Sequence, residues 1–288
     1  LPDRVWYLWE KLPNFCIFAR DFKNEGTAEL VALPPGVYAH EGANGDTPER
    51  LAVCKTSRED EILDIGSTFA QVKEDIKAFI AKKSIYDEVK TPYKLGILLY
   101  GSPGQGKSIL ISKLARDLKD AIIIYMDPST PTPSRLFLSK LDTLTKGQLK
   151  VFIFEELTTN LTQRYLTWLL SFLDGEASIG NSINIATTNY PESLPENIVN
   201  RPSRFDKMYE FESPKVEERK VLFAHFMGRE SSSEELKATD GLSIAGLKEL
   251  CLSVRVNGLT MVEAVAKLKE RATKCKKQFQ KSSSNLGF

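Results

Sequence analysis

The chain has 288 residues, 42% of them apolar, and its 39 basic and 38 acidic residues leave a net charge of +1. That length suits about two domains with a sizeable core, and the charge balance excludes a chain-wide electrostatic footprint for nucleic acid while leaving room for a local basic patch. Its four cysteines, Cys16, Cys54, Cys251 and Cys275, form no Cys-x-x-Cys pair, which points to free thiols in the cytoplasm or another reducing compartment and away from zinc.

The longest unbroken apolar runs are about as long as residues 121–126, far short of the roughly 20 residues of a membrane-spanning helix. No signal peptide is visible. The chain opens on Leu1 rather than Met, so it reads as a fragment whose native start, with any targeting segment, lies elsewhere.

Residues 1–60 carry short β-type runs: Phe15-Cys16-Ile17-Phe18-Ala19, residues 27–33 and Leu51-Ala52-Val53-Cys54. Pro34-Pro35-Gly36 and residues 42–48 separate them with loop chemistry. A β-rich accessory segment is expected. Trp6 and Trp9 either pack into a core or anchor a partner.

A helix is expected after Gly66, capped by Thr68 with Gln71 three residues on, its apolar face formed by Phe69, Val72, Ile76, Phe79 and Ile80. Strands over 95–100, 121–126, 151–154, 183–187 and 208–211 then alternate with helices. Ala121-Ile122-Ile123-Ile124-Tyr125-Met126 lacks polar alternation, as in a strand buried on both faces of a parallel sheet. Residues 61–213 therefore read as a doubly wound α/β domain.

After Pro214 the pattern turns helical, with helices over 216–226, 243–252 and 261–279. Ser243 is the cap of the second, and Thr260 with Glu263 forms a capping box for the third. Residues 214–280 make a small helical domain, and the Ser-rich residues 281–288 a flexible tail. Lys267, Lys269, Lys274, Lys276, Lys277 and Lys281 make the last helix basic, either as a solvated face or as a site for an anionic partner.

Three segments carry chemistry. Gly101-Ser102-Pro103-Gly104-Gln105-Gly106-Lys107-Ser108 sits between the strand over 95–100 and a helix marked by Ile109, Ile111, Leu114 and Leu118. Such a Gly-rich strand-to-helix turn aims backbone N–H groups at a phosphate chain, with the helix N-terminus adding positive potential. Lys107 would reach the terminal phosphates and Ser108 would ligate Mg²⁺. A nucleoside triphosphate is the expected ligand.

Val151-Phe152-Ile153-Phe154-Glu155-Glu156 is an apolar strand ending in two carboxylates. Adjacent residues at a strand end point in different directions, so one acid can face Mg²⁺ and the other a water. Asn189, at the end of the next strand, is either a turn former or a group that orients the attacking water. Arg201 and Arg204 are either surface charge or a pair of fingers reaching the γ-phosphate held by a neighbouring subunit.

Together these elements resemble the AAA family of ATPases over about residues 61–275. The resemblance implies a P-loop doubly wound α/β subdomain followed by a small helical lid, binding ATP with Mg²⁺. It makes residues 101–108 the Walker A motif, with Ile109 also lining the nucleotide. Residues 151–156 become the Walker B motif, Glu155 organising the metal and Glu156 polarising water. Asn189 matches sensor 1, and Arg201-Pro202-Ser203-Arg204-Phe205-Asp206 the arginine-finger segment. Asp64-Ile65-Gly66 is similar to the element lining the adenine pocket, and Thr239-Asp240-Gly241-Leu242-Ser243 to the small-domain signature.

Within the family, Leu169-Leu170-Ser171-Phe172-Leu173-Asp174-Gly175 and Thr187-Thr188-Asn189-Tyr190-Pro191 look most like the mitochondrial Rieske-protein translocase (Bcs-type) branch. Two positions depart from the family pattern. Glu155 stands where Walker B carries Asp, which implies altered metal geometry and slower turnover. Asp127-Pro128-Ser129-Thr130-Pro131-Thr132-Pro133 stands where unfoldases place an aromatic gripping loop, as the translocase branch also lacks it.

The implied function is an ATP-hydrolysing homo-oligomeric ring, a hexamer or heptamer, that remodels or translocates a protein partner. A DNA-linked ATPase of the helicase- or clamp-loader kind is the second reading, disfavoured by the near-zero net charge. A slow-hydrolysing, nucleotide-dependent scaffold is the third, resting on Glu155 alone.

Overall fold

A computed structural model describes residues 5–11, 14–20, 33–43, 49–54, 66–157, 161–174, 179–199, 201 and 203–271. These fall into two compact units, one drawn from Leu1–Leu63, Thr68–Gly101 and Lys107–Phe211, the other from Asp64–Ser67, Ser102–Gly106 and Glu212–Phe288.

The first unit is built on one sheet. Its strands are β1 (Val5–Lys11), β2 (Asn14–Arg20), β3 (Gly36–Glu41), β4 (Arg50–Val53), β5 (Lys94–Tyr100), β6 (Ile122–Tyr125), β7 (Lys150–Phe154), β8 (Ser182–Thr188) and β9 (Lys207–Glu210). They lie in the order β2-β1-β4-β3-β6-β7-β8-β5-β9. From β3 to β9 across that order the neighbours run parallel, which requires crossover connections. Helices supply them: α1 (Ser67–Ala81) and α2 (Lys83–Glu88) lead into β5, α3 (Lys107–Asp117) joins β5 to β6, α4 (Arg135–Leu144) joins β6 to β7, and α5 (Gln163–Asp174) joins β7 to β8. A short α6 (Glu196–Val199) follows β8.

Alternate strand residues serve opposite faces, as the two-residue period demands. Ile122, Ile124, Phe152 and Phe154 pack with Leu138 and Leu141 of α4 and Leu169, Phe172 and Leu173 of α5. Ile123, Val151, Ile153 and Ile185 pack on the other face with Phe69, Val72 and Ile76 of α1 and Leu110, Ile111 and Leu114 of α3. Each such fully buried side chain contributes about 1.5–3 kcal/mol relative to exposure. The doubly wound reading holds.

The N-terminal strands differ from the expected accessory segment. Pro34-Pro35-Gly36 reads as a loop, yet Gly36 opens β3, which pairs in parallel with β6 from Gly36–Ile122 to Ala39–Tyr125. The reason lies in β6 itself: a strand apolar on both faces leaves its backbone edge to be paired. Leu33, Tyr38 and Leu51 join the core on the α4 and α5 side, and Tyr38 Oη donates to Pro34 O at 2.7 Å. Trp6 and Trp9 fall on β1, antiparallel to β2 and β4. Residues 27–32 lie outside the described residues.

A polar link ties β3 to α4. His40 Nε2 lies 2.8 Å from Glu49 Oε1. The same carboxylate accepts from Ser134 N at 3.0 Å and Ser134 Oγ at 2.7 Å, while Ser134 Oγ caps α4 by accepting from Phe137 N at 3.1 Å.

Helix α1 begins at Ser67, one residue before the expected cap Thr68, because Gly66 takes φ +89 and turns the chain into the helix. Ile80, expected on the apolar face, is 39% exposed. It is one residue past Phe79, at about 100° around the helix.

The second unit holds α7 (Val216–Met227), α8 (Ser233–Ala238), α9 (Ile244–Arg255) and a helix over residues 261–271. Its buried residues include Leu222, Phe223, Leu247, Leu250, Cys251 and Ala264. Ser243 Oγ accepts from Gly246 N at 3.1 Å, as expected of the cap. The Thr260–Glu263 box also forms, with Thr260 N donating to Glu263 Oε2 at 2.8 Å and Glu263 N donating to Thr260 Oγ1 at 3.3 Å. The expected helix beyond residue 271, its lysines 274 to 281, and the tail lie outside the described residues. Among the described residues no helix is long and apolar enough to cross a membrane.

Candidate active site

β5 delivers the chain into the Gly-rich turn. Gly101 holds φ +136, and a Cβ there would lie 2.3 Å from Phe211 O. That close approach is fixed by Phe211 N donating to Tyr100 O at 2.7 Å. Gly104 (φ +78) and Gly106 (φ +99) complete a turn that needs the left-handed region at three places. Lys107 opens α3 with 7% of its surface exposed, and its Nζ donates to Gly101 O at 2.5 Å. Burial pulls the Lys107 pKa down, and the Glu156 charge pushes it back up.

Ser102, Pro103 and Gly104 are exposed, as is Ser108, while Ile109 packs partly buried against the α1–α3 core. In the second unit, Gly104 O accepts from Ala245 N at 3.0 Å, and a Cβ on Gly104 would lie 2.9 Å from Ala245 Cβ. Gln105 is buried, its Nε2 donating to Ser213 Oγ at 2.9 Å. Its Oε1 has no hydrogen-bond partner among the described residues. The residues fit a polyphosphate with a divalent cation. Glycine-only geometry presents backbone N–H groups, Lys107 supplies a mobile ammonium, and Ser108 and Glu155 supply the oxygen ligands that Mg²⁺ prefers.

Glu155 and Glu156 follow β7 at its end, and their environments diverge. Glu155 is half-buried; its charge, after burial, helps push the Tyr125 hydroxyl up to about 12. Glu156 is exposed and takes φ +57, a left-handed conformation uncommon for a non-glycine residue. Thr187 holds it there: Glu156 N donates to Thr187 Oγ1 at 2.9 Å, and Leu157 N donates to Thr187 O at 2.8 Å. Asn189 is half-buried just past β8, between the buried Thr188 and the exposed Tyr190.

The two arginines part company. Arg204 is 4% exposed. It forms a bidentate pair with Asp174, Nε to Oδ1 and Nη2 to Oδ2 both at 2.7 Å, and Nη1 donates to Asn197 O. Arg201 keeps 60% of its side chain exposed while touching Asp174 Oδ2 at 2.9 Å. Lys94 Nζ adds a hydrogen bond to Leu173 O at 2.5 Å. Three cations thus gather on the last residues of α5, where orphan carbonyls and the helix dipole favour them. Of the two expected fingers, Arg204 is held by a buried bidentate pair with a carboxylate of its own chain, whereas Arg201 keeps most of its side chain exposed.

Gly96 explains how that segment is held. Its N donates to Asp206 Oδ2 at 2.8 Å, and Asp206 N donates back to Gly96 O at 2.9 Å. A Cβ at Gly96 would lie 1.9 Å from Arg204 O. Of the expected adenine-pocket element, Asp64 and Ile65 lie outside the described residues. A Cβ on Gly66 would lie 2.6 Å from Glu218 Oε1. Sequence reasoning missed Asp174 and Gly96 as partners of the arginine segment; an acid ending an amphipathic helix and a lone glycine inside an apolar strand were the available signals.

Comparison with known proteins agrees with this geometry. Residues 97–213 match the model of the ATPase family associated with various cellular activities (AAA). A proteasome-activating nucleotidase of Methanothermobacter thermautotrophicus is 29% identical over 208 residues, 63% of this chain and 50% of that protein. A cell division cycle protein 48 homolog of Archaeoglobus fulgidus is 26% identical over 218 residues, 66% of this chain and 29% of that protein. A Dictyostelium discoideum protein described as a probable mitochondrial chaperone BCS1-A is 32% identical over 169 residues, 53% of this chain and 40% of that protein. The chain thus spans half or less of the length of these curated relatives. With a Gly-rich turn at the end of β5, a strand-end acid pair and a doubly wound parallel sheet, residues 97–213 of the chain carry an AAA ATPase domain.

Proposed function

We propose that the chain is the ATP-hydrolysing portion of an oligomeric ring motor that remodels or translocates a protein partner. The observation that carries the reading is Glu156. Its carboxylate acts on Lys107 from a left-handed backbone position fixed by Thr187, and uncommon backbone conformations collect where geometry serves chemistry.

In this reading the N–H groups of residues 101–108 and Lys107 bind the triphosphate, Lys107 exchanging its hydrogen bond to Gly101 O for one to phosphate. Ser108 and Glu155 hold Mg²⁺, which when bound neutralises phosphate charge. Glu156 accepts a proton from the attacking water, and Asn189 orients that water. Arg201, exposed at the end of the α5 cluster, reaches the terminal phosphate on an adjacent copy, where guanidinium spreads developing charge.

The loop over 127–133 supports a cargo that is not gripped as an extended thread. It carries no aromatic side chain, and it closes on itself through Ser129 N and Oγ, which donate to Asp127 Oδ1 at 2.8 and 2.7 Å. It also packs on the end of β3, since a Cβ at Gly42 would lie 2.5 Å from Pro131 O.

Two variants test the site. Lys107→Ala should abolish tight binding of ATP with Mg²⁺ by calorimetry, and Glu156→Gln should bind ATP while losing turnover. Normal ATP affinity in Lys107→Ala would overturn the assignment of the turn. ATPase stimulation by single-stranded DNA and by no protein would replace the motor reading with the loader one.

A further inference from the structure

Beside the 127–133 loop lies a cavity of about 410 Å³ that the reaction does not use. Thr132 of that loop, Arg135 and Leu138 of α4, and Arg164 and Trp168 of α5 line it. Trp168 is half-buried and stacks on Phe172, with ring centroids 5.2 Å apart and planes at 24°, so its exposed edge and face form a rigid wall. Arg135 and Arg164 are exposed, and neither makes a hydrogen bond or ion pair with any described residue.

The placement of these arginines runs against helix electrostatics. Arg135 is the first residue of α4 and Arg164 the second of α5, and neither helix has an acid in its first turn. Positive charge at an N-terminus opposes the macrodipole, which favours Asp and Glu there. Two guanidiniums that pair with no described residue therefore line one apolar-floored cavity, while the Glu49 carboxylate at the α4 N-terminus is already engaged by Ser134 N and Oγ. The geometry points to an anionic ligand that also buries apolar surface.

We infer that this cavity binds an acidic segment of polypeptide, a Glu or Asp carboxylate bridging Arg135 and Arg164 while a neighbouring aliphatic side chain rests on Leu138 and Trp168. The inference deepens the proposed action on a protein partner and rests on that reading. A nucleic-acid strand fits less well: it needs cations spaced along a track, and here two serve one compact cavity already floored by Leu138. Planar, bidentate guanidiniums suit a carboxylate.

The test uses the full chain with ATP and Mg²⁺ and a fluorescein-labelled ten-residue peptide alternating Glu and Leu, read by anisotropy. The Lys-Leu counterpart, inorganic phosphate and a ten-nucleotide oligothymidylate serve as competitors. Arg135→Glu/Arg164→Glu should weaken Glu-Leu binding at least about tenfold and favour the Lys-Leu peptide. Both positions are exposed, so its melting temperature should stay close to that of the wild type, and lost binding is then not lost folding. Arg135→Gln/Arg164→Gln should weaken Glu-Leu binding without gaining Lys-Leu binding.

Unchanged Glu-Leu affinity in either variant would overturn the inference, as would equal displacement by oligothymidylate or by phosphate. ATP turnover separates this inference from the reading beneath it. A chain that hydrolyses ATP and ignores the peptide removes the cavity assignment alone. A chain that binds the peptide but turns over no ATP removes the motor alone.

Discussion

Asp174→Asn should destabilise the first unit while leaving its shape intact, because it strips the counter-charge from a guanidinium that cannot reach water. Arg204 is 4% exposed and Asp174 is 20% exposed on its side chain. Breaking one partner of a buried pair costs about 3–5 kcal/mol, and the partial exposure of Asp174 places this pair near the lower end, about 3 kcal/mol. For a unit of this size that is a fall of roughly 6–12 °C in melting temperature. Circular dichroism melts of the full chain would measure it. The hydrogen bond from Arg204 holds the Asp174 carboxyl below the usual carboxylate range, against an opposing push from burial. The folded pKa is therefore below the unfolded one. The stabilisation is present above the unfolded pKa of about 3.9 and is lost as pH falls through the depressed folded value. The gap between wild type and Asp174→Asn should be constant from about pH 5 to 8 and close in more acidic solution. Asp174→Asn/Arg204→Met, which removes both charges while keeping side chains of similar volume, should recover most of the loss. A melt within about 2 °C of wild type at neutral pH, or a gap that widens in acid, would refute the reasoning.

Arg204→Ala should lose comparable stability, whereas Arg201→Ala should fold normally and bind ATP with hydrolysis reduced by roughly 10³-fold or more, as for a lost arginine finger. Mixing Arg201→Ala with Lys107→Ala chains should restore some turnover through sites that pair an intact loop with an intact finger; mixtures that stay inactive would argue against action between copies. Glu155→Asp should keep or raise steady-state ATPase rate, since the shorter acid restores the family's usual residue; loss of more than tenfold would show that the longer arm is required. Deleting residues 1–60 should yield an aggregating or unfolded chain by size-exclusion chromatography, because it uncovers the parallel edge of β6 and removes Tyr38 and Leu51 from the core. A stable, ATP-binding truncation would show that β3 is dispensable.

The parts legible in the sequence were those written in consecutive residues. The turn over 101–108 declares itself because each glycine, lysine and serine acts within one local loop, and the parallel strands because apolar runs such as residues 122–124 leave no polar face. Pairings across distance were not legible. Asp174 and Arg204 stand 30 residues apart, and Glu49 and Ser134 stand 85 apart; nothing in either neighbourhood names the other. β3 was hidden for a different reason: two prolines precede a six-residue strand that itself opens on a glycine, and its place is decided by the vacant edge of β6. Both arginines in Arg201-Pro202-Ser203-Arg204 read alike, and only burial separates the one that faces outward from the one that holds the segment down.

The double hydrogen bond between Gly96 and Asp206 has a mechanical meaning. β5 carries that anchor near its start and runs straight into Gly101 at its end, while β9 lies alongside from Ile97–Lys207 to Tyr100–Glu210. The Asp206 anchor and Gly101 thus sit near opposite ends of a single strand. A force applied at Asp206 would arrive at Gly101 as a displacement of the paired strand. β5 resembles a push-rod, held by β8 from Lys94 to Tyr100 and by β9 from Ile97 to Tyr100, and in the proposed ring that stiffness would link a copy's outward contact to its own nucleotide turn.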